Sequence, residues 1–195
     1  MIDYEGFYRG QPLVDGVPNT GVPWDIGAPQ PVVVRLADEG RFRGEVLDAG
    51  CGTGDNAKFL AARGFRVTAT DIAPTAVAQA RERAPEVEFL VGDATDLPFT
   101  EKFDAVLASA LFHAVPEHRR GELAKSLHRA AKPGALLNLT CLADVEVAPF
   151  AVTEHELRDE LTRAGWVITE VRDDVVAVAP TFPELKIWVV LAVKP

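Results

Sequence analysis

Four short stretches of this chain carry residue types that could hold a ligand or move a proton. The first is Val46-Leu47-Asp48-Ala49-Gly50-Cys51-Gly52-Thr53-Gly54, an apolar run ending in three alternating glycines. Glycines at 50, 52 and 54 let the backbone turn tightly and approach a ligand without side-chain clash. Gly52-x-Gly54-x-x-Ala57 loosely fits a dinucleotide-binding fingerprint. Two carboxylates flank this loop, Asp48 before it and Asp55 after it. They would repel a pyrophosphate and attract a ligand bearing a positive amino group and a sulfonium. Asp55 equally suits the positive end of a helix dipole. The second stretch is Asp71-Ile72, about 20 residues further on, where a strand-end carboxylate can accept from both hydroxyls of a ribose. The other reading of Asp71 is a helix cap before Pro74. In the third, Gly92-Asp93-Ala94-Thr95-Asp96, a carboxylate can accept from an adenine amino group, with Asp96 as a turn residue. The fourth is Ser109-Ala110-Leu111-Phe112-His113. Of the four histidines, His113 is best placed to act as a base or to orient a nucleophile.

Those stretches need elements to position them. Periodicity predicts helices over 31–43, 55–63, 74–84, 116–132 and 153–164, and strands over 45–49, 65–70, 87–91, 103–108, 135–141, 167–171 and 187–193. Pro74 opens one helix, and Thr153 with Glu156 forms a capping box for another. Strand and helix alternate almost strictly, and most strands are continuous apolar runs. That pattern predicts a parallel sheet covered on both faces, with ligands at the carboxyl ends of the strands. Each of the four stretches lies just after a strand. Residues 1–31 lack periodicity and hold Tyr4, Phe7, Tyr8 and Trp24 among Gly and Pro, so they read as an irregular arm or lid laid over a domain spanning 32–195.

Composition narrows the partners. The chain has 195 residues, enough for one substantial core. Its net charge of −9 disfavours nucleic acid and anionic membrane surfaces. Arg119-Arg120 is the nearest thing to a basic patch and reads as a solvated helix face, as do His118 and His128. The two cysteines match no metal-ligand spacing, so no metal is expected and a reducing, cytoplasmic setting is. The N-terminus has no secretory pattern, and no apolar run approaches a membrane span. The expected partner is a small molecule, handled by a monomer or weak homodimer.

The run from Leu47 to Gly54, then Asp71, Gly92-Asp93-Ala94, Phe103-Asp104-Ala105-Val106 and Lys132-Pro133-Gly134-Ala135, resembles the successive motifs of class I S-adenosylmethionine-dependent methyltransferases. The resemblance implies a single-domain α/β Rossmann-like fold, with a seven-stranded, mostly parallel sheet, helices on both faces and an antiparallel last strand. It implies S-adenosyl-L-methionine as cofactor: the methionine portion at Asp48, Gly50, Cys51, Gly52 and Gly54, the ribose at Asp71 beside Ile72, the adenine at Asp93 and Ala94, and Ser109 near the methyl. Gly21-Val22-Pro23-Trp24-Asp25-Ile26-Gly27 with Gln30-Pro31 is similar to the arm of thiol and thiopurine methyltransferases and of heterocyclic-toxin methyltransferases. In such arms the tryptophan packs near the cofactor, which makes Trp24 a cofactor contact.

Methyl transfer from a sulfonium is an in-line displacement, so a protein must align the nucleophile, exclude water and permit proton loss. A phenol, an N-hydroxy heterocycle or a thiol needs only a modest base, the role given to His113. Tyr4, Tyr8, Phe112 and Phe150, with Phe182, are the expected aromatic walls for a flat acceptor. A short-chain reductase needs Tyr-x-x-x-Lys, and both tyrosines lie at 4 and 8. A nucleic-acid methyltransferase is disfavoured by the charge and by Ala108-Ser109-Ala110-Leu111, which is not a base-flipping motif. A non-catalytic cofactor-binding module remains the alternative from another class.

Overall fold

The structure, a computed structural model, describes residues 2–13, 16, 18–143, 152–178 and 185–195. Seven strands form one sheet: β1 (Glu45–Ala49), β2 (Arg66–Asp71), β3 (Glu88–Val91), β4 (Phe103–Ser109), β5 (Ala131–Leu142), β6 (Val167–Val176) and β7 (Leu185–Val193). Their order is β3-β2-β1-β4-β5-β7-β6. Neighbours from β3 to β5 pair in parallel, and β7 runs antiparallel to both β5 and β6. The strand order reverses between β1 and β4. The connections that leave those two strands diverge there and open a crevice at their carboxyl ends.

The described helices are α1 (Tyr4–Tyr8), α2 (Pro31–Asp38), α3 (Asp55–Ala62), α4 (Pro74–Arg83), α5 (Arg120–Ala130) and α6 (Glu154–Arg163). Pro31 and Pro74 sit in the first turns of α2 and α4, where a missing N–H costs nothing. Thr153 Oγ1 accepts from the Glu156 amide at 3.2 Å, which caps α6. β4 shows why its strand reads as continuously apolar. Ala105 and Leu107 join α2, α3 and α4 in one core cluster, and Val106 and Ala108 join α5 and α6 in the other. Both faces are therefore buried, as parallel sheets require. Among the described residues no helix is long and apolar enough to cross a membrane.

Element bounds differ from the sequence expectation in four places. α2 stops at Asp38, short of Arg43. The expected helix over 116–132 divides into a 3₁₀ turn (Glu117–Arg119) and α5, after which β5 begins directly at Ala131. β6 continues past Val171 to Val176, because its antiparallel ladder with β7 runs on to Val176 opposite Leu185. Asp173 and Asp174 hide that extension from pattern reading, and charge on an edge strand is a common guard against edge-to-edge pairing. The arm is not wholly irregular either: Tyr4–Tyr8 is helical, with Asp3 accepting from the Gly6 amide at 2.8 Å.

Candidate active site

A cavity of about 460 Å³ opens at the carboxyl ends of β1 to β4. One wall is the turn after β1. The Gly50 and Cys51 amides both donate to the Thr70 carbonyl of β2, at 2.8 and 2.9 Å. Gly50 has φ +73°, and a Cβ there would come within 2.8 Å of Leu111 Cδ1. Glycine is thus required where the β1 and β4 connections meet across the switch point. Gly54, expected among the ligand contacts, is not among the cavity-lining residues. It begins α3 at φ +87°, and its missing side chain makes room for Ala80 and Phe89, each of which has an atom 2.9 Å from where a Cβ would sit.

Behind that turn lies an acid pair. Asp48 is 1% exposed, and neither carboxylate oxygen has a hydrogen-bond partner among the described residues. Burial, and then the neighbouring Asp71, push its carboxyl up to about 7. Asp48 does not line the cavity itself; it sits beneath the turn that does. Asp71 does line it, at the end of β2. Burial raises its carboxyl too, while the amides of Ala73 (2.9 Å) and Gly52 (2.8 Å) each donate to one of its oxygens. The Ile72 amide adds a further bond to the charged form, which leaves part of the carboxylate's acceptor capacity open to the cavity. Ile72 beside it is 52% exposed, an apolar platform on the cavity rim. Asp93 and Ala94 follow β3 on the same wall. Asp93 accepts from the Thr95 amide at 2.9 Å and pairs with Arg119 at 3.0 Å. Partial burial alone would raise its carboxyl, and these bonds outweigh it and hold the group low.

The opposite wall comes from the arm and from the connection after β4. Trp24 Nε1 donates to Tyr8 Oη at 3.1 Å, and Trp24 packs on Phe7 with ring centroids 5.6 Å apart. Asp25 accepts from Thr53 Oγ1 at 3.1 Å and pairs with Arg83, which also reaches Asp55. Glu5 accepts from the Thr75 amide and hydroxyl at the start of α4. Gln30, 7% exposed, donates to the carbonyls of Trp24 and Ala177 and accepts from the Ala177 amide. The arm is thus fastened to the glycine turn, to α4 and to the end of β6. None of these fasteners was expected from sequence, because each joins residues far apart in the chain.

His113 lies on a 3₁₀ turn (Phe112–Ala114) and lines the cavity. Its Nδ1 accepts from the Leu142 amide at 3.1 Å, so the proton of the neutral ring is on Nε2. Burial, and then the Arg120 charge, lower its pKa to about 4. Arg120 is 4% exposed: Nε donates to the Val115 carbonyl at 3.2 Å, Nη1 pairs with Glu156 of α6, and the guanidinium lies 5.7 Å over the Phe112 ring. This corrects the expectation of a solvated arginine face. Arg120 clamps the His113 turn from behind, and Arg119 lines the cavity. His128 is not on a solvated face either, since it meets the Trp166 ring edge-on at 5.2 Å. Phe112, expected as a substrate wall, is fully buried in the core under Arg120. Tyr4, Tyr8, Trp24 and Ser109 do line the cavity. Phe150 and Phe182 lie outside the described residues. Just before the His113 turn, Ala110 has φ +57°, a left-handed conformation unusual for a residue with a side chain. Its amide donates to the Thr140 carbonyl at 2.9 Å and to Thr140 Oγ1 at 3.2 Å.

Comparison with known proteins agrees with this geometry. A family profile described as a methyltransferase domain matches residues 46–134. The chain is 35% identical to the 2-heptyl-1-hydroxyquinolin-4(1H)-one methyltransferase of Mycobacteroides abscessus, over 86% of this chain and 78% of that protein. It is 29% identical to probable thiol methyltransferase 2 of Arabidopsis thaliana, over 81% of this chain and 74% of the relative. A structure solved in work on the conversion of a disulfide bond into a thioacetal group during echinomycin biosynthesis superposes with a TM-score of 0.87 at 32% identity, over 98% of this chain and 90% of that one.

Proposed function

Because the chain belongs to the class I S-adenosylmethionine-dependent methyltransferases and methylates small molecules, we propose that the cavity lays S-adenosylmethionine along the β1–β3 edge and holds an O, N or S acceptor between the arm and the His113 turn. The observation that carries this placement is the buried acid pair. Asp48 is ionisable, desolvated and unpartnered among the described residues, and it sits beneath a glycine turn beside Asp71. Such a group lacks a cation, and a cationic ligand on the turn supplies one. Gly50, Cys51 and Gly52 would face the methionine portion, the remaining lone pairs of Asp71 the ribose, and Ile72, Asp93 and Ala94 the adenine. Trp24 and Ser109 would close the cofactor side, with Tyr4 and Tyr8 toward the acceptor.

The bound cofactor supplies a methyl group already activated on a sulfonium. The protein's own task is alignment and exclusion of water. Leu111 against Gly50 sets the separation between the two walls, and the Tyr8–Trp24 pair roofs the turn. His113 serves here as an orienting group. A ring of pKa about 4 whose Nδ1 already accepts an amide is a poor proton acceptor at neutral pH. Proton loss is left to acceptors acidic enough to give it up, which favours thiols, phenols and N-hydroxy heterocycles. Two buried free thiols, Cys51 and Cys141, suit a reducing cytoplasm. The charge of −9 favours small-molecule over nucleic-acid acceptors, handled by a monomer or weak homodimer. Residues 1–31 act as the lid of the domain formed by 32–195.

Titration calorimetry tests the placement. S-adenosylhomocysteine is expected to bind, and Asp71→Ala to weaken it by about 1–3 kcal/mol through lost charge-assisted hydrogen bonds. Unchanged affinity in a folded Asp71→Ala protein would remove Asp71 from the site. A screen of thiols, phenols and N-heterocycles with labelled cofactor then identifies the acceptor atom.

A further inference from the structure

We infer that the acceptor carries no negative charge beyond that of its nucleophilic atom, and that the cavity selects against carboxylate- or phosphate-bearing analogues of the same shape. This rests on the acceptor placement proposed above and goes beyond it by naming the charge of the substrate. Five acidic side chains line the cavity: Asp3, Glu5, Asp55, Asp71 and Asp93. Glu5 is held below its ordinary pKa by the Thr75 hydroxyl and amide, and the Thr95 and Arg119 bonds hold Asp93 low despite its burial, so both are ionised at neutral pH. Among the described residues, one arginine and no lysine line the cavity. That residue, Arg119, is already committed. It donates to Glu122 at 2.8 Å, to Asp93 at 3.0 Å and to the Thr95 hydroxyl.

The two longer segments outside the described residues add no cation by sequence. Residues 144–151 and 179–184 carry Asp144, Glu146 and Glu184, and no Lys, Arg or His. With Asp55 paired to Arg83 and Asp93 to Arg119, Asp3, Glu5 and Asp71 remain against the single net positive charge that the bound cofactor brings. An acceptor carboxylate would therefore enter a site of like charge, partly shielded from water, with no unspent guanidinium or ammonium to meet it. An otherwise uncharged thiol, phenol or N-hydroxy heterocycle brings at most the charge of its nucleophile, which the cofactor's sulfonium meets. Its body meets the apolar or neutral surfaces of Tyr4, Leu111, Val115 and Val176.

The test compares 4-mercaptobenzamide with 4-mercaptobenzoate, which share size and nucleophile and differ in charge. The amide is expected to show at least ten-fold higher kcat/KM, and the ratio to narrow as ionic strength rises. Pro116→Lys, which adds a cation on the cavity lining, is expected to narrow it further; if that variant does not fold, the salt series decides. A benzoate methylated as well as the amide, or better, overturns the inference. A second readout does not depend on turnover: displacement of a fluorescent probe from the enzyme–S-adenosylhomocysteine complex by the two S-methylated products. Charge-selective displacement without methylation of either thiol would overturn the thiol-transfer reading and leave charge selection standing. Equal displacement together with active methylation would do the reverse.

Discussion

Along the strand edge, Gly50 and Cys51 are held by a backbone atom, the Thr70 carbonyl, and Gly52 by the carboxylate of Asp71 at the end of the adjacent strand. Across the cavity, Trp24, Tyr8 and His113 are held largely by side chains that arrive from distant parts of the chain: Gln30 reaching Ala177, Glu5 reaching Thr75, and Arg120 reaching Glu156. The first wall is stiff because a parallel ladder and glycine dihedrals define it. The second is adjustable, because replacing a few side chains re-sites it without disturbing the sheet. A constant cofactor and variable acceptors call for that division.

Substitutions that strike one wall and spare the other would break or sharpen this contrast. The largest effect is expected from Arg120→Met. Removing the buried Arg120 breaks its bonds to Glu156 and to the Val115 carbonyl and frees the turn, with an expected loss of about 1.5–3 kcal/mol in urea unfolding. In the protein that remains folded, acceptor KM should rise while S-adenosylhomocysteine affinity stays constant. Equal losses in both would show that the two walls are not separable.

Asp48→Asn strikes the other wall. The folded carboxyl titrates near 7, above the ordinary carboxylate value near 4. Between those values the unfolded chain has released a proton that the folded chain retains. Stability of the ligand-free protein therefore falls as pH rises through this window, by up to about 1.4 kcal/mol per pH unit. Asp48→Asn should flatten that slope and be more stable than the parent at pH 8, yet bind the cationic cofactor more weakly. Parallel pH–stability curves for the two proteins would detach Asp48 from the effect.

The smallest effect belongs to the seam between the walls. Ala110→Gly relieves a left-handed alanine, a gain of about 1 kcal/mol, partly offset by the greater freedom of glycine in the unfolded chain. A slightly higher melting temperature with a lower kcat would mark Ala110 as strain that serves alignment. A lower melting temperature would show that the Thr140 contacts do not depend on that strain.

How far the site was legible in sequence follows the same division. The glycine turn, Asp71, Asp93 and His113 could be read because each follows an apolar run, and strand ends are where such a sheet presents ligands. Phe112 misled because an aromatic beside a candidate histidine looks the same whether it faces the cavity or the core. Arg119-Arg120 misled because adjacent charges usually mean solvent, whereas here one lines the cavity and the other is buried against Glu156. Gln30 was singled out only as part of the arm's resemblance, with no sign of its role: its value lies in Ala177, 147 residues away.

By itself the sequence determined the carboxyl ends of β1 to β4 to within a residue, the glycine turn and the doubly covered, mostly parallel sheet, because side-chain period and positive-φ requirements are local properties of the chain. Only the tertiary structure decided that Asp48 is unpartnered among the described residues, that Arg120 clamps the His113 turn, and that acids outnumber free cations around the cavity. Desolvation and charge pairing depend on which distant element packs against a residue, and no local pattern encodes that.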